Sequence, residues 1–197
     1  MTTIDGELPQ DDVTQLAARL AAAEARLARL EAKEAVLSTF NEYLYSLDVG
    51  YPAELVNEVF TADAVLEVIN FPPGSMKDLR FTGRAEIKPL YDDHTRAAPA
   101  VQGGHHASNI AVNVAPDLSS AQLSAYFMTS VNDAGWLQGG QYQGEAVPDG
   151  DKWRFRHYRI ISGWGWRVDR YAITAITAPV PAEQAWRGAR PARYEPL

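Results

Sequence analysis

Residues able to do chemistry gather in Gly103-Gly104-His105-His106-Ala107-Ser108-Asn109-Ile110-Ala111-Val112-Asn113-Val114, where two of the chain's four histidines open a run of alternating polar and apolar residues. Alternation with a period of two predicts a strand whose side chains point to opposite faces. On that register Ile110, Val112 and Val114 share a face with His106, while His105, Ala107, Asn109, Ala111 and Asn113 line the other. The second face is small, polar and roomy, which suits a pocket wall that keeps one titratable ring, His105. His106 has the parity of packing unless a bulge at Gly103-Gly104 shifts the register.

A helix aims two further polar groups toward the interior. At about 100° per residue, Val36, Leu37, Phe40, Leu44 and Leu47 form one apolar arc, with Tyr43 at one edge and Asp48 near the other. An imidazole, a carboxylate and a phenol facing one space are the components of acid–base catalysis. His105, His106, Asp48 and Glu67 could instead suggest a metal site. Neighbouring strand residues point apart, however, and no His-x-His or His-x-Asp/Glu pair replaces them, so neither a metal nor a cofactor is expected. Glu67 alternates with Val68 and enters the pocket or faces water; the pattern leaves both open. The chain has no cysteine, which excludes disulfides and thiolate chemistry, and it shows neither a phosphate-binding glycine loop nor a serine nucleophile elbow.

The elements that must position these groups follow in order. Asp11-Asp12 reads as the N-cap of a long helix in which Leu16, Leu20, Ala23, Leu27, Leu30 and Leu37 recur four and three apart. The first part, residues 1–32, reads as a helical arm suited to assembly, either on its own domain or with another copy. The helical pattern continues to Asp48 and ends at Gly50-Tyr51-Pro52. A second helix, Ala53 to Phe60, leads into the strand Ala64 to Ile69, then a loop from Asn70 to Asp78 that could cap a pocket, and a short helix from Ala85 to Thr95. Past the histidine strand, Gln122 to Val131, Gly139 to Val147 and Trp153 to Ile161 read as three consecutive antiparallel strands. Trp164 and Trp166, bracketing Gly165, read as packing or subunit contacts. The tail from Ala178 is proline-rich with anchoring aromatics and is expected to drape over a surface.

Bulk properties bound the partners. With 197 residues and 46% hydrophobic composition the chain can bury a core, and a net charge of -7 gives no footprint for nucleic acid or an acidic membrane. No stretch reaches the ~18 apolar residues of a membrane span and the N-terminus lacks signal-peptide character, so the expected compartment is the cytoplasm.

The order of elements, with a polar-faced histidine strand, resembles the SnoaL-like branch of the nuclear-transport-factor-two-like superfamily. The resemblance runs from about Lys33 to Trp164 and rests on several motifs: Tyr43-Leu44-Tyr45-Ser46-Leu47-Asp48, Phe60-Thr61-Ala62-Asp63-Ala64-Val65, Gly83-Arg84, His105-His106-Ala107-Ser108-Asn109, Gly139-Gly140-Gln141-Tyr142 and Trp153-Arg154-Phe155. It implies an α+β fold, a cone-shaped, mostly antiparallel sheet curved around helices and a deep pocket. It divides the chain into an arm (1–32), the SnoaL-like domain (33–177) and the tail (178–197).

Catalytic members such as scytalone dehydratase, bile acid dehydratase and hexachlorocyclohexane dehydrochlorinase are similar in using an Asp on that helix to orient a His on that strand. The resemblance therefore implies that Asp48 orients, His105 transfers the proton and Tyr43 assists as a phenol donor. Relatives often carry Arg five residues after the tryptophan, where this chain has Tyr158 with Arg159 beside it. Tyr158, Arg159, His106, Glu67 and Tyr142 are the candidate substrate-binding residues. The implied activity is a cofactor-independent lyase, a dehydratase or a related C–C lyase, acting on a hydrophobic, aromatic or polycyclic small molecule. An isomerase using the same dyad and a non-catalytic binding or assembly module are the alternatives. A homo-oligomer, trimer or dimer, is the expected assembly.

Overall fold

The long N-terminal helix sets the frame on which the site is built. The computed structural model describes residues 10–49, 52–71, 77–97, 104–131 and 136–167. Helix α1 (Gln10–Val49) runs unbroken for 40 residues, because no glycine or proline interrupts it and Ala, Leu, Arg and Glu dominate its first half. It begins one residue before the expected cap, so the cap pair lies in its first turn, where the negative charge of Asp12 still complements the helix dipole. Its second half buries Ala32, Val36, Phe40, Tyr43 and Leu47, a stripe at helical spacing in which each large apolar side chain contributes about 1.5–3 kcal/mol by leaving water.

Helix α2 (Pro52–Val59) opens on a proline, whose missing N–H costs nothing at the first helical position. There follow β1 (Phe60–Ile69), β2 (Leu79–Thr82), α3 (Arg84–Ala97), β3 (His105–Val114), β4 (Ala121–Val131), β5 (Trp136–Asp149) and β6 (Lys152–Arg167). The strands form one open, curved sheet in the order β2-β1-β6-β5-β4-β3. Only β1 and β6 run parallel; every other pairing is antiparallel. This is the α+β cone that the sequence implied. Strand β2 was not expected, since Leu79-Arg80-Phe81-Thr82 is too short to show alternation, yet it pairs with β1 from Val65↔Thr82 to Val68↔Leu79. β1 itself starts at Phe60 and not at Ala64, with an irregular register between Phe60 and Val65.

Strand β3 corrects the parity read from its sequence. The pairing with β4 advances from Ser108↔Tyr126 to Ala111↔Ser124, so β3 holds one extra residue, and Asn109 takes φ 51° there. This bulge turns the second half of the strand over. Val112 and Val114 thus join the face of His105 and Ala107, opposite the inward-facing Leu123, Ala121, Thr129 and Phe127 of β4, while Ile110 is exposed. The bulge lies at Asn109; Gly103 lies outside the described residues.

The expected loop after β1 is tied at its base. Asn70 N donates to Asp78 Oδ1 at 3.0 Å, Phe71 N donates to Lys77 O at 3.0 Å, and Asn70 Nδ2 donates to Ser162 O at 2.9 Å on β6. Residues 72–76, which the capping role would need, lie outside the described residues, as does the tail from Ala178. No helix among the described residues is long and apolar enough to cross a membrane.

Candidate active site

The last turn of α1 meets the first residue of β3. Asp48 Oδ1 lies 2.7 Å from His105 Nδ1, and the same carboxylate accepts the backbone N–H of His105, at 3.0 Å from Oδ1 and 3.2 Å from Oδ2. The His105 side chain is 7% exposed and that of Asp48 29%, so the ring is enclosed while its partner borders solvent. A carboxylate accepting from Nδ1 selects the tautomer in which Nε2 carries the lone pair. Gly104 makes this approach possible. It takes φ 69°, and a Cβ built there would lie 3.2 Å from Asp48 Oδ2, a conformation and a clearance that suit glycine.

Across the sheet from His105 stands Thr129, buried, with no hydrogen-bond partner for Oγ1 among the described residues. Beyond it lies an aromatic wall. Tyr142 stacks on Phe127 with ring centroids 4.5 Å apart and on Tyr158 at 5.8 Å. Tyr43 stands 5.0 Å from Tyr158, 5.7 Å from Tyr142 and 6.1 Å from Tyr91 of α3, and Tyr91 Oη donates to Tyr43 Oη at 3.4 Å. Burial pushes all four phenols above the ordinary tyrosine range, with neighbouring phenols adding to the rise for Tyr43, Tyr142 and Tyr158. All four therefore stay neutral donors at working pH. The hydroxyl of Tyr158 is buried with no partner among the described residues.

Three of the candidate substrate-binding residues lie elsewhere. Glu67 is on the outer face of β1, bound to Arg80 Nη1 at 2.5 Å, His157 Nε2 at 2.9 Å and Arg159 Nε at 3.1 Å. The His157 hydrogen bond, with the charges of His157, Arg80 and Arg159, holds its carboxyl below the usual range. Arg159 also donates from Nη1 to Gln143 Oε1 at 3.2 Å. The parity that buries Leu66 and Tyr158 turns Glu67 and Arg159 outward. His106 is exposed and pairs with Met128, which is 43% exposed, on the face opposite His105. Of the expected substrate-binding residues, the structure therefore turns Glu67, Arg159 and His106 to the outer face, and Tyr142 and Tyr158 inward. Trp164, 41% exposed, covers Gly139 on the outer face.

The profile of the SnoaL-like domain matches residues 28–159. The chain belongs to the SnoaL-like family. Solved structures share the fold of this SnoaL-like protein. A proposed scytalone dehydratase from Novosphingobium aromaticivorans aligns at 21% identity and a TM-score of 0.56, covering 75% of this chain and 92% of that one. An NTF2-like protein with a cystatin-like fold from the same organism aligns at 24% identity and 0.56, over 78% and 92%. LinA aligns at 13% identity and 0.59, over 73% and 94%. A search of curated proteins found no match.

Sequence reasoning missed Tyr91 and Thr129, and read Gly104 only as part of a possible bulge, not as the residue that admits the Asp48 carboxylate. Thr129 had a signal: Ala121, Leu123, Ala125 and Phe127 alternate along β4, and Thr129 continues their inward parity. Tyr91 had a weaker one, four residues after the buried Ile87 on the same helical face. Among the described residues no three His, Cys, Asp or Glu side chains group as a metal site would need.

Proposed function

We propose that this SnoaL-like protein is a cofactor-independent lyase of the dehydratase type, acting on a hydrophobic, aromatic or polycyclic small molecule. The observation that carries the reading is the 2.7 Å contact between Asp48 Oδ1 and His105 Nδ1. In the tautomer this contact favours, Nε2 removes a proton from the carbon next to a hydroxyl-bearing carbon. The C–H electron pair becomes the second bond between the two carbons, and the C–O bond breaks with its electrons. The leaving oxygen takes the proton back from the imidazolium and departs as water, which returns His105 to its neutral form. Asp48 stabilises the imidazolium in between.

The surroundings favour an apolar substrate with an oxygen handle. Among the described residues the buried polar ones, Thr39, Ser46, Thr61, Thr129 and Ser162, are all uncharged, and the core on the His105 face of the sheet includes Phe127, Tyr142 and Tyr158. Tyr43 is assigned the assisting donor role; because other aromatic rings enclose it, a substrate reaches its hydroxyl only as those rings part. The name of the neighbour from Novosphingobium aromaticivorans, a proposed scytalone dehydratase, points to the same reaction type.

The test is incubation of the purified protein, with and without exhaustive chelation, with a panel of hydroxylated aromatic and polycyclic ketones, read by mass. Loss of one water, undiminished by the chelator, is the expected result. A product of unchanged mass identifies an isomerase using the same base. Turnover lost on chelation and restored by a divalent ion overturns the cofactor-free mechanism, and binding without turnover of any panel member marks an inert pocket.

A further inference from the structure

The first half of α1 carries an apolar seam that its own domain leaves uncovered. Val13, Leu16, Leu20, Leu27 and Leu30 are 46%, 51%, 60%, 56% and 54% exposed. Together with Ala23 they alternate at intervals of three and four residues, the a and d positions of a heptad repeat. At 100° per residue the seam points roughly 170° away from the stripe of Ala32, Val36, Phe40, Tyr43 and Leu47 that the domain buries. A helix laid along the seam therefore faces away from that buried stripe, and only at Leu30 does the seam border the domain, beside Val112, Asn113 and Val114 of β3.

The flanking charges say what that helix is. Arg19 and Arg26 occupy g positions, and Glu24 and Glu31 occupy e positions. In a parallel, in-register pair each g residue faces the e residue five places on in the other helix, so Arg19 meets Glu24 and Arg26 meets Glu31, in both directions. An antiparallel pair would set Arg against Arg and Glu against Glu. The seam stops at Glu34, an exposed carboxylate at the next a position, where two like charges would meet.

We infer that residues 13–30 pair with the same segment of a second copy of this chain as a parallel, in-register, two-stranded coiled coil. So short a coil is marginal between free peptides. Here the arm is a continuation of a helix already anchored in the domain by Ala32, Val36 and Phe40, which lowers the ordering cost of association.

Sedimentation of the full chain at several concentrations tests this. The wild type is expected as a dimer, and Leu20→Glu with Leu27→Glu as a monomer with an unchanged domain fold by near-UV circular dichroism. The surface double variants Arg19→Glu/Arg26→Glu and Glu24→Arg/Glu31→Arg should each dimerise weakly alone and pair with one another when mixed. Because the chain has no cysteine, Leu16→Cys should cross-link to itself on oxidation, since only an in-register parallel pair brings the two copies of position 16 together. A monomeric or trimeric wild type, a dimer that survives the glutamates on the seam, charge-swapped variants without mutual preference, or a Leu16→Cys chain that does not cross-link would each overturn the inference.

Discussion

Asp48 grips His105 at two points, accepting the ring at Nδ1 at 2.7 Å and the backbone N–H of the same residue at 3.0 Å. One carboxylate thereby fixes both where β3 begins and how its first side chain is turned. The contact joins residues 57 apart in sequence and closes the helix end onto the edge strand of the sheet.

Gly104 should be sensitive for two separate reasons. Its positive φ disfavours any side chain by about 1–2 kcal/mol, and an added methyl would press on Asp48 Oδ2 at 3.2 Å. Gly104→Ala is expected to lower both thermal stability and turnover. Chemical denaturation and steady-state rates check it, and wild-type values in both would contradict the geometry.

Tyr158→Phe removes a buried hydroxyl that has no partner among the described residues. Deleting an unpaired buried polar atom is neutral or stabilising. If that hydroxyl serves substrate, KM should rise by about tenfold, or ~1.4 kcal/mol, with stability unchanged or higher. A clear loss of stability with unaltered kinetics would make the hydroxyl structural.

The outer-face cluster predicts a pH dependence of stability. The carboxyl of Glu67 is held below its ordinary range in the folded protein, chiefly by the hydrogen bond with His157. A lowered folded value means stability present above the unfolded value, about 4.3, and lost as pH falls through the folded one. Glu67→Gln should therefore be less stable than wild type at neutral pH, with the gap closing as the solution is taken below that range. Urea melts at neutral and strongly acidic pH measure it; a gap that stays constant would contradict the role given to the cluster.

Much of this arrangement was legible in the residues, and the rest was hidden for physical reasons. Helix α1 could be read because nothing in it breaks a helix and its buried stripe has period 3.6. The parity of β3 was misread past Ser108 because a bulge leaves little trace in sequence. Its one hint is Asn109, a residue type that tolerates positive φ. Glu67 could not be placed because its partners, Arg80 on an unforeseen strand and His157 and Arg159 on the parallel strand β6, come from distant segments. Tyr91 was passed over since its meaning depends on α3 packing toward Tyr43 and Phe60.

The central claim, that His105 is the base and Asp48 its positioning partner, is tested most directly by the rates of His105→Gln, Asp48→Asn and the double variant on whichever panel substrate turns over. Each single change should lower kcat/KM by something like 10²–10⁴-fold. The double variant should be little slower than the slower single one, because the two act as a unit. Near-native turnover by a folded His105→Gln protein, with activity abolished instead in His106→Gln, would contradict the account and move the base to the other face of the strand.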